Sequence, residues 1–238
     1  MGALQTLINY ADSIEFDRRN VVGIQYTRSE IPKVSETPTR NAWKINLTVA
    51  AALPYSDIRG LLEIVDDLDR RKPDTFTFSA GKLNWITRYQ APDYGTMTQT
   101  LAQVMTVYLF VGDQLTLTNL PTVTGGMTAN TPLFKSGDFI QLGSGTVNPY
   151  PFTVVNDVLR GNASTVTFTV HRPNFFTNSV VGNTITVGSN VTFRMFCTNM
   201  PVYKLIPGAT KYVNGVMVNN AYIQWSDTFK LYEWTGDV

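Results

Sequence analysis

Apolar and polar residues alternate along most of this chain, and one stretch breaks that rhythm. Between Ser56 and Lys72, SDIRGLLEIVDDLDRRK, apolar side chains fall at Ile58, Leu61, Leu62, Val65 and Leu68. This i, i+3, i+4, i+7 spacing is one buried face of an α-helix. Ser56 suits the N-cap, where a hydroxyl accepts a first-turn N–H. Asp57 and Glu63 lie toward the positive end of the helix dipole, and Arg70, Arg71 and Lys72 lie at the negative end. Pro73 disfavours helical geometry at Lys72 and removes a donor, so the helix stops there. Gly60 weakens it by roughly 1 kcal/mol against alanine. A single apolar face needs a surface to cover, and the pattern predicts the sheet that holds Trp43–Val49 and Thr75–Ser79.

The remaining segments read as strands and turns. Leu4–Tyr10 is a short arm or helical turn, and Ser13–Arg18 and Val21–Thr27 are short strands. Residues 28–41, RSEIPKVSETPTRN, form an extended surface loop, either a crossing connection or a contact arm. In Trp43–Val49, Trp43, Ile45, Leu47 and Val49 alternate with Lys44, Asn46 and Thr48, the period of a half-buried strand. Leu83–Tyr89 is read as a strand too, and the turn-rich 91–100 as a boundary. Val104–Val111 and Gln114–Thr118 make a hairpin about Gly112-Asp113, and a loop fills 119–133. Short strands follow at Phe139–Leu142, Pro151–Val155, Thr165–His171, Thr184–Val187 and Val191–Phe196, with Val166, Phe168 and Val170 facing inward. Val202–Ile206, Lys211–Val218 and Ala221–Trp234 close the chain, with Asn214-Gly215 a strong hairpin signal.

The predicted fold is mainly β, an antiparallel β-sandwich or barrel with one flanking helix at about 56–72 and an inserted small β-barrel module. Residues 1–101 and 200–238 form the larger domain, and 102–199 form the insertion.

Composition narrows the function. The chain has 238 residues, 43% of them hydrophobic, enough for a real core. Charged residues make up 16%, against roughly 25% in an average protein. Thr and Asn supply the polar surface instead. A net charge of +1 gives no strong field toward nucleic acid or anionic lipid. One cysteine, Cys197, forms no internal disulfide. The start lacks a basic and apolar leader pattern, and no apolar run nears the ~18 residues of a membrane span. The expectation is a soluble protein made in a cytoplasm.

No set of residues assembles a reaction centre from sequence alone. His171 is the only histidine and ends the alternating strand TVTFTVHRP, the position of an ordinary strand-end residue. Nucleophilic catalysis would need it beside a hydroxyl or thiol and a carboxylate. One histidine and one cysteine make a poor N/S metal set. Cys197 reads as a small apolar filler. Asp66, Asp67 and Asp69 could pair for acid–base work, but a solvated helix face or a subunit contact explains them more simply. The Gly125-Gly126 and Gly143–Gly145 stretches lack the strand–loop–helix setting of a phosphate loop. Asn46, Asn162 and Asn190 begin glycosylation sequons expected by chance at this Asn and Thr content. Trp85, Trp225 and Trp234 could build a sugar platform, although scattered aromatics in β proteins usually serve core or interface. No cofactor or metal is expected.

Two segments carry a family resemblance. QYTRSEIPKVSETPTRNAWKINLTVA followed by YSDIRGLLEIVDDLDRRKPDTFTF resembles structural proteins of tailed-bacteriophage tails, in the tail-tip or baseplate region. PLFKSGDFIQLG with YPFTVVNDVLRGNASTVTFTVHRP looks like the small β module inserted in such proteins, with Gly137-Asp138 opening a strand. The resemblance implies a non-enzymatic virion component of the distal-tail or tube-related kind, assembled as a ring, commonly sixfold, that links the tail tube to hub or fibres. Its partners would be copies of itself and neighbouring tube, hub or baseplate proteins, with no membrane and no sequence-specific nucleic acid. Ring closure repeats one heterologous interface around an axis. The long loop and the charged helix face are the expected contact elements, giving Arg28, Glu30, Lys33, Glu36, Arg40, Asp66, Asp69, Arg70 and Arg71 as the candidate interface. A carbohydrate-binding module that reads a host surface is the alternative, and a cell-wall hydrolase is the third reading.

Overall fold

The structure, a computed structural model, describes residues 2–17, 22–26, 32–36, 42–50, 53–68, 72–90, 99–122, 127–143, 149–176, 179–214 and 216–235; at 22–26, 32–36, 66–68, 99–100, 209–213 and 216–220 it describes the backbone alone. It is mainly β, with several antiparallel sheets and few helices, and among the described residues no sheet closes into a barrel.

Five strands make the largest sheet. They are β1 (Ala11–Asp17), β4 (Lys44–Val49), β6 (Asp74–Phe76), β15 (Phe193–Asn199) and β18 (Phe229–Glu233). Their order is β1-β4-β18-β15-β6, every pairing antiparallel. Alternation aims Ile45, Leu47 and Val49 from β4 and Phe229 and Leu231 from β18 into one core.

Helix α1 (Ala3–Asn9) lies against β6, in keeping with the helical alternative for Leu4–Tyr10 and longer than one turn. Leu4, Leu7 and Ile8, at i, i+3 and i+4, are fully buried. The Gln5 side chain accepts the Thr77 N–H at 2.9 Å and donates back to the Thr77 carbonyl, and Asp74 accepts the Leu4 N–H.

Helix α2 (Tyr55–Leu68) buries Ile58, Leu61, Leu62 and Val65, the face its spacing predicts. It starts one residue before the predicted cap, and the Ser56 hydroxyl donates to the Asp57 carboxylate. Its chief neighbours are α1 and a second sheet, β5 (Leu53–Pro54), β16 (Tyr203–Val213) and β17 (Val216–Trp225), in the order β16-β17-β5. The expected partner, the Trp43–Val49 sheet, is reached mainly through α1, which occupies the place beside β4 and β6.

Leu83–Tyr89, expected as a strand, lies within a 3-10 helix spanning Lys82–Tyr89. Its buried residues are Leu83 and Ile86, at the three-residue period of that helix, while Trp85 and Tyr89 face solvent. Gly81 starts it at φ +81°, and a Cβ there would come within 2.5 Å of the Asn9 Cα. Gly81→Ala should therefore lower stability by roughly 1–3 kcal/mol, read as a smaller unfolding free energy in urea.

Part of the 28–41 loop is also a strand. β3 (Pro32–Glu36) pairs with β2 (Val22–Tyr26), from Val22 opposite Glu36 to Tyr26 opposite Pro32. The proline occupies a strand end, where its missing N–H does least harm.

A second cluster of buried residues runs from Ala102 to Val187. After the short helix α3 (Gln99–Ala102) come β7 (Thr106–Val111) and β8 (Gln114–Thr118), the hairpin predicted about Gly112. β13 (Val166–Thr169) extends it in the order β13-β8-β7. β11 (Pro151–Thr153), β10 (Phe139–Leu142) and β14 (Ile185–Val187) form a second small sheet, and β9 (Pro132–Phe134) pairs with β12 (Val158–Leu159). Among the described residues three open sheets enclose this core where a small barrel was expected. Val191–Phe196, predicted as the module's last strand, contributes to β15 and to the first core.

Candidate functional site

All nine candidate interface residues lie where the structure gives no side chains. Arg28, Glu30, Arg40, Asp69, Arg70 and Arg71 fall outside the described residues, Lys33 and Glu36 lie on β3, and Asp66 lies near the end of α2. The structure places other features at the seam between the two cores and on two exposed surfaces.

The seam holds a buried ion pair. Along β18, Glu233 has the parity of Phe229 and Leu231, so its carboxylate points inward. Arg172 meets it from the second core, and both side chains are fully buried. The contact is bidentate. Nη2 donates to Oε1 at 2.8 Å and Nη1 to Oε2 at 2.5 Å. Oε2 also accepts the Trp43 N–H at 3.1 Å. Nη2 and the Trp43 indole N–H both donate to the Pro151 carbonyl. The guanidinium carbon lies 4.8 Å from the Phe152 ring centroid and 4.6 Å from that of Phe175. A bidentate fork with a delocalised charge held against two rings is what arginine supplies and lysine does not.

Two glutamines add to the seam. The Gln90 side chain accepts the Phe139 N–H at 2.6 Å, and the Gln141 side chain accepts the Thr192 N–H at 2.8 Å. Trp43, Phe78, Phe139 and Phe193 interlock their rings at centroid distances of 5.3–6.1 Å.

His171 sits at this seam with its ring 5.2 Å from that of Trp43. Its Nδ1 accepts the Thr153 N–H at 2.9 Å. Cys197 belongs to the first core, where its thiol donates to the Asn199 carbonyl. Beside His171 an open cleft of about 730 Å³ separates β1 from the turn at Ser136-Gly137.

Among the described residues two strand surfaces each expose several apolar side chains. On and before β16 these are Val202 (71% exposed), Tyr203, Leu205 (56%) and Ile206. On and beside β7 they are Val104, Tyr108, Leu109 and Val111, with Val181 also exposed. A register shift between Val107 and Leu109 breaks the alternation there. Among the described residues no group of three or more His, Cys, Asp and Glu is placed to hold a metal ion, and no helix is long and apolar enough to cross a membrane.

Sequence reasoning missed the Arg172–Glu233 pair. Half of it was readable, since FKLYE puts a carboxylate in phase with two core residues. Its partner, 61 positions away, leaves no local trace. The exposed β16 surface was missed because Val202–Ile206 reads like any buried strand.

No protein-family model matches the chain, and no curated protein sequence is significantly similar to it. Its function is therefore argued from residues and geometry.

Proposed function

We propose that this protein is a structural subunit that assembles with copies of itself through strand edges, as a ring at the tip or baseplate of a bacteriophage tail. The observation that carries the assembly is β16. This strand spans 11 residues at the edge of the β16-β17-β5 sheet and exposes Tyr203, Leu205 and Ile206 in its first half, with Val202 exposed just before it. Among the described residues no strand pairs with its outer side. Exposed apolar edges promote pairing with another strand; Lys204, Pro207 and the register shift between Pro207 and Thr210 confine that pairing to the first half of β16. A partner strand satisfies the edge N–H and C=O groups and buries the apolar side chains together.

The β2–β3 hairpin supports the same reading. Among the described residues it joins no third strand, and an isolated two-stranded hairpin is marginally stable in water. An extended edge and a short unaccompanied hairpin are different surfaces, which suits a heterologous contact that closes into a ring. The net charge of +1 leaves little repulsion between copies. The assignment to a tail, and the links to tube, hub or fibre proteins, rest on the resemblance of residues 25–50 and 55–78.

Electron-microscopy class averages of the purified protein test this. Closed rings with a central channel are expected. Monomers alone at micromolar concentration would sink the self-assembly reading.

A further inference from the structure

We propose that the cleft beside β1 binds a short, neutral saccharide. This goes beyond the assembly reading and does not depend on it. The cleft measures about 730 Å³, within the roughly 300–1,000 Å³ of small-ligand sites.

One wall is the outer strand of the five-stranded sheet. Glu15, Phe16 and Asp17 of β1 line it, with Asn46 of β4. Glu15 and Asp17 are two residues apart on a strand and so share a side. Asn46 is the register partner of Glu15, and its Nδ2 donates to Glu15 Oε2 at 3.0 Å, which holds that carboxylate in place.

The other wall is Ser136, Gly137, Thr153, Val154, Val155 and His171, and it is stiff. Ser136 Oγ donates to the Val155 carbonyl at 2.6 Å, and the Ser136 N–H donates to Asp157 at 2.9 Å. The Gly137 N–H donates to the Val154 carbonyl at 2.8 Å. A site held this way loses little freedom on binding.

The lining selects the ligand class. Among the described residues it carries two carboxylates and no lysine or arginine, a lining that disfavours phosphates and acidic glycans. Carboxylates form strong charge-assisted hydrogen bonds with hydroxyl donors. Asn46 and Ser136 supply amide and hydroxyl groups beside the exposed apolar surfaces of Phe16 and Val155. A pyranose ring offers the matching surface, with hydroxyls around its edge and C–H groups on its faces. A basic peptide could also answer the two carboxylates and is the competing occupant.

The test is calorimetric titration of the whole protein with maltotriose, the β-1,4-linked trimer of N-acetylglucosamine, β-1,4-galactobiose and, separately, oligolysine. At least one saccharide should bind with millimolar affinity. Glu15→Gln with Asp17→Asn should weaken it by about tenfold or more. Val155→Trp, at a site already 41% exposed, should block binding by filling the cleft. Leu205→Lys should leave it unchanged, which separates this site from subunit assembly. Thermal melts check the folding of each variant, and if Val155→Trp unfolds, the carboxylate variants alone decide. Binding by none of the saccharides overturns the proposal. So does saccharide binding indifferent to the carboxylate substitutions, or oligolysine binding alone.

Discussion

Leu205→Lys should abolish the assembly and leave a folded monomer. Leu205 is 56% exposed in the subunit, so the change costs the isolated fold within about 0.5 kcal/mol. In an assembled edge the same side chain would be covered. An unpaired ammonium there carries a desolvation penalty of several kcal/mol. Since about 1.4 kcal/mol is a factor of ten in affinity, subunit association should weaken roughly a hundredfold or more. Size-exclusion chromatography with light scattering reads the outcome, and a thermal melt checks the fold. Rings that persist in Leu205→Lys would remove β16 from the interface. Tyr108→Lys, on the exposed β7 surface, is the matching comparison. If it breaks the rings and Leu205→Lys does not, the contact belongs to the second core's surface.

Arg172→Ala should lower unfolding free energy by about 3–5 kcal/mol, the penalty for leaving a buried charge without its partner. Glu233 would keep the Trp43 N–H but lose both guanidinium bonds. The stacking of Arg172 on Phe152 and Phe175 would go as well. Arg172→Lys should recover only part of the loss, because an ammonium cannot make the parallel fork or spread its charge against both rings. Arg172→Met with Glu233→Gln should be more stable than the sum of the single changes predicts, since neither charge remains. Urea denaturation of the wild type, Arg172→Met, Glu233→Gln and the double variant gives the coupling energy. A cost for Arg172→Ala below about 1 kcal/mol would show that the pair does not hold the seam.

The two predictions concern different levels of organisation. The ion pair ties β18 of the first core to the second core within one chain, whereas Leu205 tests the proposed contact between chains. A protein that must keep its shape in an assembly gains from a seam fixed by directional bonds. An apolar contact alone could slide, but a bidentate pair with a stacked guanidinium tolerates one geometry.

Much of this fold was legible. The spacing of Ile58, Leu61, Leu62 and Val65 gave a helix and its buried face, because helical period is set by backbone geometry. The alternation of Ile45, Leu47 and Val49 gave β4 for the same reason. Asn214 has φ +52° at the end of β16, in keeping with the Asn-Gly turn signal. The 3-10 helix at Lys82–Tyr89 was not legible as one. In KLNWITRY, apolar residues at 83, 85 and 89 fit a strand, whereas burial of 83 and 86 fits the helix. Only the position of α1 and the φ of Gly81 decide between them.

The sequence by itself determined the β class, the amphipathic helix, the tight turns and the inward face of each strong strand. These follow from interactions within a few residues, and the chain's covalent geometry fixes their periods. Tertiary structure decided which surface each element covers. It set α2 against α1 and β17, put Glu233 beside Arg172, opened a cleft between β1 and Ser136, and left the outer side of β16 without a neighbouring strand among the described residues. Each of these depends on segments far apart in the chain meeting in space, and no local pattern of residues encodes such a meeting.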